Sequence, residues 1–258
     1  MLKKTSKPVA GNDELFNDTI VLVNGDNSRT TNTTQLGLTD KVQKRQPEVK
    51  GSVSAHTFHP YHEDGFWAVD GFDGTANGKL QINDSDLWAL GTNDFTMEAW
   101  VYTYGFDTTY NTIMSTWTSP YGFLWYFTAD TIHFYTSNAS GANYAFTDAE
   151  NPVSRWVHYA IVRNGNNFNA YQNGNQIGST WTYTGSIPNV GGYLQIGLLN
   201  DNNAVTGHIG MLSNVRIMNR AVYTDEFDPP SKPFNPKEDG TLLLCCADPT
   251  AGDISGYN

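Results

Sequence analysis

The chain of 258 residues has only two cysteines, Cys245 and Cys246, and they are neighbours. Adjacent cysteines rarely close a bridge, because the peptide between them strains the geometry a disulfide needs. No disulfide framework is available, and folding in a reducing compartment is the simpler expectation. Charge is also scarce. Only 16% of residues are charged, and 15 Lys and Arg face 26 Asp and Glu, for a formal net charge of −11. A phosphate backbone requires clustered basic side chains, so the balance argues against nucleic-acid binding. No apolar run is long enough to cross a bilayer as a helix, and no membrane association is expected. The opening MLKKTSKPVAGNDE is basic but lacks the apolar stretch of a signal peptide, which predicts folding in the cytosol without export by the general secretory route. No segment sustains a helical period, and no internal repeat or second domain is visible.

What is abundant points one way. Aromatic residues make up 13% of the chain, and Gly and Asn recur between short apolar runs. This is the pattern of many strands joined by tight turns, and a single all-β sandwich can reach this length. In FTMEAWVYTY, Phe95, Met97, Ala99 and Val101 share one face, while Thr96, Glu98, Trp100 and Tyr102 share the other. In WVHYAIVR, Val157, Tyr159 and Ile161 alternate with Trp156, His158, Ala160 and Val162, and two apolar faces predict a central strand. Asn164-Gly165 and Asn173-Gly174 suit turns that require positive φ. FWAVDGF, KLQI, TIMSTW, GFLWYFT, TIHFYTS, NFNAYQN, QIGSTWTY, GYLQIGLL, HIGMLSNVRIM and TLLLCC read as further strands. The loops DSDLWALGTND and LNDNNAVTG separate some of them. Thr19–Val23 forms an early strand, expected to pair with the final TLLLCC.

The search for chemistry is mostly negative. His56, His59 and His62 recur at a spacing of three, which would align them on a helix, but Pro60 and flanking Gly argue for ordinary loop histidines. His133, His158 and His208 fall in strands and read as structural imidazoles. No Ser/His/Asp or Cys/His grouping has a recognisable context. Sugar binding needs exposed rings beside polar groups, and Trp117 and Tyr121 near one turn, with Trp181 in TWTYTG, are the candidate stacking residues. Asp201, Asn202 and Asn203 could supply oxygen ligands to a hard cation such as calcium, and Asp70 and Asp73 are weaker candidates. No other cofactor is expected.

FTMEAWVY (95–102), RWVHYAIVRNGNNFNAYQNGNQIG (155–178), YLQIG (193–197) and HIGMLSNVRIMNRAVYTDEF (208–227) together resemble the laminin-G/pentraxin-type jelly roll of the concanavalin A-like lectin and glucanase superfamily. The resemblance implies an antiparallel β-sandwich, and relatives often bind calcium at its edge. Glucanases of the superfamily use E-x-D-x-x-E to bring two carboxylates to one face of a strand. No such strand occurs here, Glu98 is the only acid in its strand, and no enzymatic activity is expected. The flanks DTIVLVNGDN, VKGSVSAHTFHPYHEDGFWAVDGFDG and AVYTDEFDPPSKPFNPKEDGTLLLCC are similar to virion proteins of tailed phages, cyanophages among them.

These readings combine into an all-β, concanavalin A-like antiparallel jelly roll with an extended N-terminal arm. Residues 1–50 are expected to form an attachment arm with one strand, 51–240 the jelly roll, and 241–258 a closing strand and tail. The expected function is that of a non-enzymatic phage structural protein decorating the capsid or another outer surface. The alternatives are a tail-fibre lectin for host-surface polysaccharide and, third, a glycan-cleaving enzyme. Expected partners are capsid or tail subunits gripped by the arm, host glycans, and further copies of the chain in a homo-oligomer. The expected location is the virion.

Overall fold

The computed structural model describes residues 47–106, 110–116, 121–136, 142–201 and 204–248, excepting the side chains of 200, 201, 204 and 205. Strands dominate. In chain order they begin with β1 (Glu48–Lys50), β2 (Ser54–His56), β3 (Ala68–Asp73), β4 (Lys79–Ile82), β5 (Phe95–Thr103) and β6 (Asn111–Ser115). There follow β7 (Phe123–Phe127), β8 (Ile132–Thr136), β9 (Ala142–Phe146), β10 (Trp156–Asn164), β11 (Asn167–Gln172) and β12 (Asn175–Thr182). The series ends with β13 (Leu194–Ile196), β14 (Leu198–Asp201), β15 (Ala204–Gly207), β16 (Ile209–Met218) and β17 (Thr241–Cys245). One 3-10 turn, Asp86–Trp88, interrupts them, and the Ser85 hydroxyl caps it by accepting from the Leu87 N–H.

Two antiparallel sheets stack face to face. One has the order β1-β4-β13-β6-β7-β8-β9, and the other β12-β11-β10-β5-β16-β3-β2, with β17 also paired to β16. The sheets form the antiparallel sandwich that the alternation predicts, and the jelly roll that the resemblance implies. The core between them is built from the inward residues of each strand: Phe95, Met97, Ala99 and Val101 on β5, Val157, Tyr159 and Ile161 on β10, Phe123, Trp125 and Phe127 on β7. All of these are buried. Non-local pairing of this kind is stabilised chiefly by removing apolar surface from water, at roughly 25 cal/mol per Å².

The two Asn-Gly pairs act as turns by different routes. At Asn173-Gly174 both residues take positive φ (48° and 81°), whereas in the β10–β11 turn only Gly165 does (61°). Gly174 is needed for a second reason. A Cβ there would lie 1.6 Å from the Phe227 carbonyl oxygen, whose own N–H donates to the Gly174 carbonyl at 3.0 Å.

The segment LNDNNAVTG differs from its expected loop conformation. It supplies most of the hairpin β14–β15, whose Leu199 packs on Leu124 and Tyr126 of β7. Its two four-residue arms are too short to show an alternation pattern. β9 also escaped notice, because ANYAF is short and its burial is intermittent. β1, within the stretch assigned to the arm, is paired with β4, and β17 is a full member of its sheet. The Thr19–Val23 strand, its pairing with β17, and the arm of residues 1–46 lie outside the described residues.

Candidate functional site

The outward face of the eight-stranded sheet is organised in three rows set by the strand register. Across β10, β5 and β16 these rows are Ala160–Glu98–Arg216, His158–Trp100–Ser213 and Trp156–Tyr102–Met211. Each row has a different cover.

The first row is sealed. Glu98 is 0% exposed, and its Oε1 accepts from Arg216 Nε at 2.8 Å and Nη2 at 2.6 Å. Its Oε2 accepts from Tyr223 Oη at 2.8 Å and lies 3.2 Å from His158 Nε2. Burial alone would push the Glu98 carboxyl up, but the His158 hydrogen bond and the Arg216 charge outweigh it and hold the group below its ordinary value. Arg216 reaches on to Glu238 at 2.5 Å and stands 3.7 Å above the Phe234 ring, and Glu238 also takes Arg220 at 2.7 Å. Tyr223 and Phe227 stack with centroids 3.6 Å apart over Ala160, Val162 and Tyr171. Segment 219–240 is thus latched across the sheet by charge and by rings. Glu98, with its oxygens committed to four donors and shielded from water, is built for structure.

The middle row is closed by segment 57–67. Tyr61 meets Trp100 edge-on at 6.3 Å, and Ser213 Oγ donates to the Trp67 carbonyl at 2.7 Å. Two of the histidines that attracted notice in the sequence are turn formers here. His56 Nδ1 accepts the Phe58 N–H at 2.9 Å, and His59 Nδ1 accepts the Tyr61 N–H at 3.2 Å. Burial holds the His59 imidazole below its usual value, with Asp64 opposing. Among the described residues no group of three or more His, Cys, Asp or Glu could hold a metal ion.

The third row is open except at Met211, which is buried. Phe58 is 45% exposed and Tyr104 48%, two of the most exposed large apolar side chains described. Half-buried Tyr102 and Trp156 form the floor. Phe58 meets Tyr102 edge-on at 5.2 Å and Trp156 at 5.9 Å, while Tyr102 lies 5.5 Å from Trp156 and 5.8 Å from Tyr104. Four rings therefore lie in one contiguous cluster, neighbouring rings mostly edge to face, and this cluster is the platform. Asp70 stands at its rim, where Oδ1 accepts the Tyr104 hydroxyl at 2.9 Å and the Gly71 N–H at 2.6 Å. Burial, then Asp70, raises the Tyr104 phenol well above its ordinary value, so it stays protonated. Beneath the platform, buried His208 shares its Nε2–H between the carbonyls of Tyr102 and Met211, each at 3.2 Å. Burial pushes its imidazole down to about 4.

Of the residues singled out from sequence, Tyr121, Trp181, Asp70 and Asp73 have described side chains. Trp117, Asn202 and Asn203 lie outside the described residues, as does the side chain of Asp201, the last residue of β14. Tyr121 sits half-buried in the β6–β7 connection at a φ of 72°. Trp181 is half-buried where β12 meets β9, stacked on Tyr144 (5.5 Å, 9°) and on Tyr183 (4.9 Å, 17°), and its rings close the sandwich edge. Asp73 spends Oδ1 on the N–H and hydroxyl of Thr75, a turn arrangement. Sequence reasoning missed Phe58, Tyr104 and the outward use of Tyr102 and Trp156. The available signal was the YTY end of β5, where alternation continues past the cover.

The comparisons with known proteins follow this geometry. A family model described as the concanavalin A-like lectin/glucanases superfamily matches residues 73–226, more than half of the chain. The chain belongs to that superfamily. A search of the curated proteins finds no match. Among solved structures, the chain is similar to the binding domain of botulinum neurotoxin serotype G, with a TM-score of 0.54 and 15% identity, over 71% of this chain and 45% of that one. It is similar to the binding domain of Paraclostridial Mosquitocidal Protein 1 at a TM-score of 0.53 and 13% identity, over 69% and 45%. A Bacteroides ovatus protein credited by inference with carbohydrate binding aligns at 0.50 and 15% identity, over 78% and 51%. The chain spans about half the length of these structures, and at such identities the likeness is one of fold.

Proposed function

We propose that this member of the superfamily is a non-catalytic glycan-binding module carried on the outside of a phage particle. The carrying observation is the open third row, four contiguous aromatic rings with a polar rim. A pyranose presents a C–H face that stacks on such rings while its hydroxyls reach polar neighbours. The acid best placed to act in hydrolysis, Glu98, is locked in an ion-pair network under the latched segment, which supports a binding role. The phage setting rests on the flanking sequences that are similar to tailed-phage virion proteins. In that setting residues 1–50 attach the module to capsid or tail subunits, several copies sit side by side, and the platform meets host-surface polysaccharide.

Two measurements test this. The full chain should bind a subset of host-surface polysaccharides on a glycan panel, and the double variant Phe58→Ala/Tyr104→Ala should lose at least ~10-fold in affinity, as expected when stacking rings are removed. Deleting residues 1–14 should abolish attachment to the particle while leaving glycan binding intact. Full binding by the ring variant would remove the platform from the proposal. Attachment surviving the deletion would remove residues 1–14 from the attachment role.

A further inference from the structure

The chemistry of the platform rim carries an inference about what it takes. At the rim, the described polar groups are acceptors. The Tyr104 hydroxyl gives its proton to Asp70, so its oxygen faces outward with lone pairs only. Asp70 uses Oδ1 for Tyr104 and Gly71, and its Oδ2 has no partner among the described residues. The donors nearby are few and partly spent. The Trp156 indole N–H is buried, and Arg155 is held by Glu150 at 2.8 Å and the Asn151 carbonyl at 3.0 Å. The 57–67 cover also carries Glu63 and Asp64, and Lys232 pairs with Glu63 at 3.4 Å.

The wider field has the same sign. Residues 47–258 carry eight Lys and Arg against 21 Asp and Glu, whereas residues 1–46 carry seven against five. Of those eight, Arg163 is buried and bound only to carbonyls of Gly165, Gly91, Tyr183 and Gly185. Arg216 is buried on Glu98. Little basic charge is left to receive an anion.

We infer that the platform selects saccharides that are donors at their polar edge, neutral hexoses and amino sugars, and rejects those bearing carboxylate or sulfate. This rests on the glycan-binding reading and deepens it. A hydroxyl or ammonium group next to the stacked ring satisfies Asp70 Oδ2 and the Tyr104 oxygen. A uronate or sulfate in the same place meets a carboxylate with no compensating donor.

The test is a titration of the full chain with matched oligosaccharide pairs that differ only in a neutral hexose, a hexosamine, a uronic acid or a sulfate. Wild type should bind the anionic member about five- to tenfold more weakly at low salt, with the gap narrowing as salt rises. Asp70→Asn should close most of that gap and weaken the hexosamine most, while the thermal midpoint confirms the fold. Equal binding of anionic and neutral partners by wild type, or an Asp70→Asn variant with an unchanged ratio, would overturn the inference. Phe58→Ala/Tyr104→Ala separates the two levels. If binding depends on the rings but the ratio ignores Asp70, only the selectivity fails; if no saccharide binds, or if binding ignores the rings, the glycan reading fails with it.

Discussion

The first and third rows of the same sheet face differ less in sequence than in what lies over them. Glu98 and Tyr102 are four residues apart on one strand and point the same way. Over Glu98 runs segment 219–240, tied down by Arg216, Glu238 and the Tyr223–Phe227 stack. Over Tyr102 there is only the edge of segment 57–67, which contributes Phe58 to the surface instead of closing it. A charged group is tolerable in the first row because it is enclosed with its partners. Rings are available to a ligand in the third row because nothing encloses them. On this scaffold the strands supply side chains and the connections decide which become core and which become surface.

The sharpest way to break the contrast is to unlatch the first row. Arg216→Ala leaves Glu98 buried without its cation and should cost about 3–5 kcal/mol in denaturant unfolding. Saccharide affinity of the folded fraction should change little, since the platform is two rows away. Equal losses in stability and affinity would show that the rows are coupled.

Acid should act through the same packing. His208, whose imidazole is pushed from 6.5 down to about 4, is held neutral in the fold, so the unfolded chain binds its proton first. Its contribution is complete above the unfolded value, is lost as pH falls towards about 4, and is on the order of 3 kcal/mol. Glu98, held below its ordinary 4.5, adds a further loss below that pH. Unfolding curves collected from pH 7 to pH 3 should show stability declining through this window, and His208→Gln should flatten the part between 6.5 and 4.

Gly174→Ala tests the fit of the latched segment. The added methyl meets the Phe227 carbonyl and also sits at positive φ, which predicts a loss of about 1–3 kcal/mol with the ring stack loosened. A near-ultraviolet circular dichroism change from Tyr223 and Phe227 would report the loosening. The smallest stability effect belongs to the third row. Phe58→Ala/Tyr104→Ala removes half-exposed rings and should lower stability by about 1 kcal/mol or less, while having the largest effect on binding.

Most of the sandwich was readable because burial on one face imposes a period of two. β5 and β10 were placed from that alternation, β17 from a short continuous apolar run, and Asn173-Gly174 from the cost of positive φ to other residues. The hairpin β14–β15 and strand β9 were not, since short arms leave too few side chains to reveal a period. For His56, His59 and His62 the spacing of three would matter only on a helix, and Pro60 argued against one; His56 and His59 accept local backbone N–H groups at turns. Trp181, a candidate stacking residue from sequence, packs against the rings of Tyr144 on β9, Phe168 on β11 and Tyr183 just past β12.

What the sequence determined by itself was the double-layered β body, its turns, its acidic charge and the solitary place of Glu98, because these follow from local alternation, backbone sterics and composition. Only the tertiary structure decided that Glu98 is sealed while Tyr102 and Trp156 are presented with Phe58 and Tyr104. Exposure depends on which distant segment crosses a strand, and that is fixed by contacts between residues more than a hundred positions apart, such as Glu98 with Arg216 and Tyr223.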